Sequence, residues 1–528
     1  MELKLKSDEG LKMLNKSHAR GYMKLWALHH ILLPQLRWDL MIYELPVSFV
    51  EKVGGTISKF IRRWLGISKN FTSVGLYSKN SPCPLPFQSL VDLFKTTKVS
   101  SHLQLVGSSH QEVVDNVKPS DTGRKWKLCD PKRILGKHGI DVDLGAVRRC
   151  MQRLEVEKMI GKANEGRTGL GFGVLSQRSG DTRKKKVASK VREEIEEDHL
   201  NKAVSLTVQG KWTKWKDYHQ RVYKWKSLFY SDMRLTRFCL GSTFDTLASP
   251  ANLKRWGFSL SNDCSLCQKS GCTVAHVLSG CPVALGQGRY RYRHDSVLRV
   301  LCHHIGGFLN NLPSSSTSVL RREIEFVPAG SKVASKRKIH NRGLLFQAAD
   351  WTMVADLGKR LIFPAHIHVT TRRPDIVIFS NVEKIIIMVE LTCPCEENFQ
   401  ARHEEKLDKY DVLKTSCVAN GWKCHLFAVE VGARGYVAQS LSSCLSALGL
   451  DSRSVRKCVD KTGDEALRTS FWVWYSRDDT QRLRLGFVDK RERECRLAGS
   501  GNHPRQVASQ LSSQVSSQVS SQVSSQVS

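Results

Sequence analysis

The residues best placed to do chemistry are two carboxylates: Asp375, at the end of Arg372-Arg373-Pro374-Asp375, and Glu390, fifteen positions later. Between them the runs 376–380 and 384–393 are short, β-branched and bounded by turn residues, with Asn381 at the join, so the pattern predicts a hairpin of two buried strands. In an antiparallel hairpin the start of one strand faces the end of the other. Asp375 lies about as far before the turn as Glu390 lies after it, which should bring both to one end of a sheet. Two converging carboxylates are ligands for Mg²⁺ or Mn²⁺. A divalent ion held there polarises a phosphoryl oxygen and activates a water, the chemistry of phosphodiester hydrolysis, and a nearby cation must offset the charge that builds on phosphorus. Residues 396–417 contain no Pro or Gly and are rich in helix formers, so they predict a helix with Lys406, Lys409 and Tyr410 on or near one face. The plainer reading is that Asp375 and Glu390 only cap a hairpin.

A second cluster has the spacing of a metal site. Cys264-Ser-Leu-Cys267 is followed by His276 and Cys281. A CxxC pair aims two sulfurs at one ion, and a His and a Cys from the following turn complete a tetrahedral Cys₃His set suited to structural Zn²⁺. Cys272 lies between the pairs as a spare thiol or an alternate ligand. The alternative is a group of unligated buried cysteines. Elsewhere Cys393 and Cys395 flank Pro394, but no His is placed by sequence to activate them, so they read as inert thiols.

The elements carrying these sites sit in a strongly basic chain of 528 residues, with 82 Lys and Arg against 50 Asp and Glu and a net charge of +32. That balance predicts a polyanionic partner. An apolar content of 41% suits a globular protein of several domains, multidomain α+β in class. No apolar stretch approaches a membrane span and the amino terminus lacks the features of a signal peptide, so an intracellular, nuclear protein is expected. Sixteen cysteines then read mostly as free thiols. Residues 1–105 predict a helical region, with Trp26, Leu28, Ile31, Leu32, Leu36 and Leu40 supplying apolar positions before Pro46, and a second amphipathic helix over 47–65 ending at Gly66. The stretch 106–200 is charge-dense and reads as a linker with a solvated helix, in which Arg183-Lys184-Lys185-Lys186 is either solvated surface or a phosphate or nuclear-localisation patch. Residues 201–310 hold linker helices and the Cys/His knuckle, 311–450 the carboxylate hairpin, 451–498 an extension, and 499–528 a Ser-Ser-Gln-Val repeat that buries too little to fold. Trp212, Trp215, His219, Val222 and Trp225, interleaved with lysines, suit either base stacking or a buried stripe, with the buried stripe preferred.

These motifs, in this order, resemble the carboxyl-terminal part of site-specific non-LTR retrotransposon polyproteins of LINE type, over about 10–105 and 205–450. Asp375, Glu390 and the basic helix are similar to the PD-(D/E)xK restriction-enzyme-like nuclease fold. Ordinary restriction enzymes carry the lysine two residues after the glutamate, a position held here by Thr392; the retrotransposon variant supplies it from the following helix, which maps it onto Lys406 or Lys409. Tyr43-Glu-Leu-Pro46, Arg63-Trp-Leu-Gly66, Leu76-Tyr77 and Leu85-Pro86 resemble the family's reverse-transcriptase thumb. Phe244-Asp-Thr-Leu, Pro250-Ala-Asn-Leu-Lys-Arg-Trp-Gly257 and Gly288-Arg-Tyr-Arg-Tyr-Arg-His-Asp295 resemble its linker and CCHC zinc knuckle. The resemblance implies an endonuclease that nicks or cuts DNA, with DNA and element RNA as partners. It implies that Arg289, Arg291, Arg293 and His294 contact the nucleic-acid backbone, that Arg372 and Arg373 hold the strand, and that Tyr410 orients the lysine or a phosphate. No palm precedes the thumb-like region, and the Asp478-Asp479 pair lacks a palm context, so no polymerase activity is expected. The alternative is a catalytically inactive nucleic-acid-binding relic.

Overall fold

The computed structural model describes residues 2–117, 123, 180–312 and 343–479. They form two compact units, one of residues up to Gly210 with Val222–Met233, the other of Lys211–Arg221 with residues from Arg234 onward.

The first unit is helical: α1 (Glu2–Lys16), α2 (Gly21–Ala27), α3 (Leu33–Ile42), α4 (Val47–Leu65), α5 (Ser73–Tyr77), α6 (Leu90–Val106), α7 (Gln111–Asp115), α8 (Gly180–Ser205) and α9 (Trp225–Tyr230). Helix α4 buries Val50, Val53, Ile57, Ile61 and Trp64 at the three- and four-residue spacing of one face. It stops at Gly66, whose φ of 69° is left-handed and open to glycine at no steric cost. Between α2 and α3 the chain widens into a π-turn, Leu28–Leu32, just ahead of Pro34. Pro34 has no N–H to return to the preceding turn, and the wider turn accommodates that loss. Helix α8 departs from the expected solvated linker. It buries Val191, Ile195 and Ala203, and its Glu196 carboxylate accepts from Ser78 Oγ at 2.8 Å and from the Lys79 amide. The side chains of the basic run 183–186, most of 106–179, and the tail beyond 479 lie outside the described residues.

The second unit contains α10 (Met233–Thr243), α11 (Pro250–Arg255), α12 (Pro282–Gly286), α13 (Arg289–Leu309), β1 (Thr352–Ala355), β2 (Ile376–Ser380), β3 (Ile385–Thr392), α14 (Phe399–Ala419), β4 (Lys423–Glu430), α15 (Gln439–Leu448) and α16 (Ser452–Tyr475). The fold class is mixed α+β, with one four-stranded sheet in the order β1-β2-β3-β4. The first two pairings are antiparallel and β3–β4 is parallel, with α14 as the crossover. Strands β2 and β3 are covered on both faces, which is why they read as unbroken apolar runs. One face, through Ile376, Ile378, Ile387 and Val389, packs with Val297, Leu301 and Ile305 of α13 and with residues of α15 and α16. The other, through Val377, Phe379, Ile386 and Met388, packs with Tyr410, Leu413 and Cys417 of α14. The core of the expected 311–450 domain therefore draws on helices from both sides of those bounds. The knuckle belongs to the same unit.

Trp212 and Trp215 are buried, but over a short 3₁₀ turn (Lys211–Lys214) and loop rather than a helix. Trp215 lies under the Arg434 guanidinium, 5.1 Å from ring centre to Cζ. Trp225 belongs to the first unit, where it packs on His29, His30 and Phe87. Val222 is exposed. Among the described residues no helix is long and apolar enough to cross a membrane.

Candidate active site and metal centre

The β2–β3 register pairs Ile376 with Val389. One step further in the same register, Asp375 and Glu390 face each other at the end of the sheet. Alternation puts both on the face covered by α14. Both are buried. Asp375 Oδ2 accepts from the Leu391 amide at 2.7 Å, which ties the residue before β2 to the end of β3. Glu390 Oε1 accepts from Lys406 Nζ at 2.6 Å, and Lys409 Nζ stands 3.5 Å from the same oxygen. Glu390 Oε2 is buried without a partner. An unpartnered carboxylate oxygen in a buried site is costly. Burial, and then the neighbouring Asp375 charge, push Glu390 above its ordinary range, against the pull of Lys406. A cation beside Glu390 Oε2 would relieve both effects.

Helix α14 supplies the cations because its turns stack the required positions on the sheet side. The two lysines are placed differently. Lys406 makes the short contact with Glu390, whereas Lys409 also donates to Tyr410 Oη at 2.9 Å and lies 4.4 Å above its ring. Tyr410 is fully buried and donates to the Arg373 carbonyl at 2.7 Å. Burial first, and then Glu390, raise its hydroxyl well above the ordinary range, so it acts as a donor. It thereby fixes the backbone just ahead of Asp375.

The basic set from α13 divides. Arg291 is exposed, with Asp295 at 3.6 Å. Arg289 and Arg293 are each 1% exposed, so the expected contact of these two with a nucleic-acid backbone is corrected. Their donors serve the fold instead: Arg289 binds the Ser476 and Asp479 carbonyls, and Arg293 binds the carbonyls of Leu278 at 2.8 Å and Cys393 at 3.0 Å. Guanidinium groups so enclosed have no face for phosphate. His294 is also differently employed. Its Nε2 is 3.3 Å from Asp375 Oδ2 and 3.2 Å from the Leu391 carbonyl, and its Nδ1 is 3.1 Å from Asp295. Burial alone would lower its pKa, but the hydrogen bonds to Asp295 and Asp375 outweigh it and raise it to about 11. No local spacing signals this role, because 81 positions separate His294 from Asp375. Arg373 is exposed beside the pair, and Arg372 is half-buried with an unpartnered Nη1. Thr392, where ordinary restriction enzymes carry lysine, is half-buried with an unpartnered hydroxyl. Burial pushes the Cys393 and Cys395 thiols up, away from nucleophilic thiolate.

The second cluster is compact. The ligand atoms of Cys264, Cys267, His276 and Cys281 lie within 4.8 Å of one another, a group able to hold a metal ion. Cys264 Sγ is 3.9 Å from Cys281 Sγ, and Cys267 Sγ is 3.4 Å from His276 Nε2. Sulfur ligands at about 2.3 Å in a tetrahedron are separated by about 3.8 Å, so the donors fit Zn²⁺. Cys272 is buried outside this group. Tyr290 of α13 buttresses the cluster: its hydroxyl accepts from the Cys281 amide at 3.0 Å and donates to the Val277 carbonyl at 2.9 Å.

No family model matches the chain, and no curated protein is similar to it. The reading of the site rests on its geometry: two buried carboxylates at a sheet end, a lysine on one of them, and a four-donor soft site in the same unit.

Proposed function

We propose that the protein is a metal-dependent DNA endonuclease of PD-(D/E)xK type, of the kind carried by site-specific non-LTR retrotransposons. The observation that carries the reading is the meeting of Asp375, Glu390 and Lys406 on one face of the sheet end, with Lys406 Nζ 2.6 Å from Glu390. Asp375 and Glu390 would hold Mg²⁺ or Mn²⁺, which supplies a polarised phosphoryl oxygen and a water of lowered pKa. Lys406 brings a positive charge to where the phosphorus becomes crowded with negative oxygen, the electrostatic part of the catalysis. Lys409 is held on Tyr410, and Tyr410 keeps the Arg373 carbonyl, and so Asp375, in place. Arg373, at the exposed mouth, suits a strand phosphate. Arg291 is the member of the α13 set open to the same use. The net charge of +32 favours a polyanion.

In this reading Cys264, Cys267, His276 and Cys281 hold a structural Zn²⁺ in a knuckle, and the helical first unit is a thumb-like element that grips a nucleic-acid duplex, with element RNA as a further partner. The test is conversion of closed-circular plasmid to nicked or linear form by the full chain with Mn²⁺. Wild type is expected to cut, with cutting lost on adding EDTA and in Asp375→Ala and Glu390→Gln. Cutting that survives in both variants would remove the assigned site. Binding of the plasmid without any cutting would leave the inactive relic.

A further inference from the structure

Helix α16 buries one side in the core shared with the sheet, through Val455, Cys458, Val459 and Ala466. Its other side, over the first three turns, carries Arg453, Arg456, Lys457 and Lys461, all exposed, along an open groove of about 530 Å³. Among the described residues none of these four side chains makes a hydrogen bond or an ion pair. Two carboxylates share the groove. Asp464 is taken by Arg221, whose Nη1 lies 2.5 Å from Oδ1, which leaves Asp460 against four cations. The arrangement works against the helix itself. Arg453, Lys457 and Lys461 are like charges at successive four-residue spacings, which destabilises a helix. Arg453 also stands in the first turn, which holds no acidic residue, where a positive charge opposes the helix dipole. A face that is only solvated gains more from charges of alternating sign.

We propose that this face of α16 is a docking surface for the phosphate backbone of the DNA, at a stretch away from the scissile bond. The inference rests on DNA being the substrate and not on the chemistry of cutting. Arg453, Lys457 and Lys461 are spaced about 6 Å apart along the helix axis, so they present a row of charge rather than a single point. A row suits a polymer of regularly spaced phosphates, and contacts to phosphate carry no sequence information, so the grip is sequence-independent. Helix α13 fixes where the row lies. His294 of α13 meets Asp375, and His304 follows it by ten residues, about 15 Å along the axis. Burial, then His303, Lys457 and Lys461, lower the pKa of His304, so the two lysines stand beside this end of α13. The interval corresponds to about four base-pair steps of a duplex. Helices α13 and α16 cover the face of the sheet opposite α14, so the row is separate from Lys406 and Lys409.

The test is the salt dependence of binding of a labelled DNA duplex by the full chain in EDTA, where nothing is cut. Wild type is compared with the fourfold variant Arg453→Gln, Arg456→Gln, Lys457→Gln and Lys461→Gln. A control carries Lys359→Gln, Arg360→Gln, Lys414→Gln and Lys423→Gln, four exposed cations elsewhere in the same unit with the same loss of charge. The α16 variant is expected to bind at least about 10-fold more weakly at low salt, and the slope of log affinity against log salt to shrink by about 3 to 4, with the control close to wild type. Single-turnover nicking with Mn²⁺ at saturating DNA is expected to keep its wild-type rate. An α16 variant with the affinity and slope of wild type, or of the control, would overturn the proposal. Duplex binding unchanged while RNA binding falls would also overturn it and give the face to RNA. The expected loss of slope in a protein whose wild type binds but never cuts would sink the nuclease reading and leave this inference standing. If the fourfold variant does not fold, Lys457→Gln with Lys461→Gln decides, with an expected loss of slope of about 2.

Discussion

Glu390 combines burial, a like-charged neighbour and one unpartnered oxygen. Those are the conditions under which a carboxylate gains most from a cation, and Lys406 supplies part of one. Replacing Lys406 by Ala is therefore expected to lower single-turnover cleavage by about 10²- to 10³-fold with DNA affinity nearly unchanged. Lys409→Ala should cost less, because its ammonium is held on Tyr410. Equal losses in the two variants would contradict this assignment. His294 makes a separate prediction about stability. Its folded pKa of about 11 exceeds the ordinary 6.5, so its contribution is fully present below about 6.5 and is lost progressively as pH rises toward 11. In metal-free protein, denaturant midpoints at pH 6 and pH 9 should show a larger fall for wild type than for His294→Gln. The carboxylates and lysines were legible in sequence because a two-residue period and a helical repeat fix them locally. His294 was legible only as a basic residue near the knuckle, since its partner is brought to it by tertiary packing.

At the scale of elements, the hairpin and α14 could be read from the chain because strand and helix periods are local signals. The coverage of the sheet could not. An amphipathic helix shows that it has a buried face, not which surface that face meets, so sequence alone separates α13 and α16 from the sheet they cover. Leu301 of α13 is fully buried in the core shared with the sheet. Leu301→Ala should destabilise the second unit by about 2–5 kcal/mol, measured by denaturant unfolding. A change below about 1 kcal/mol would mean that α13 is peripheral to this core. The closeness of Gly463 on α16 to the turn at Gly435 points the same way: a Cβ at Gly463 would lie 2.7 Å from the Gly435 carbonyl oxygen, so only glycine allows the approach.

At the scale of the whole molecule, charge and metal sites decide how the protein should behave. The knuckle reaches α13 through Tyr290 and Arg293, and Arg293 reaches the Cys393 carbonyl just beyond Glu390. Stripping the soft site with a thiol-compatible chelator should lower the melting temperature, and one equivalent of Zn²⁺ per chain should restore it; an unchanged melting curve would leave the four ligands without a structural role. The knuckle's four ligands were legible from spacing alone, whereas its link to the end of β3 runs through Arg293 and Cys393, a hundred positions apart. The measurement that bears most directly on the account is the Mn²⁺ dependence of DNA cleavage by wild type and Asp375→Asn at matched DNA occupancy. Saturable, metal-dependent strand cutting by wild type alone is the predicted result. Equal cutting by both proteins, or none by either with DNA bound, would contradict it.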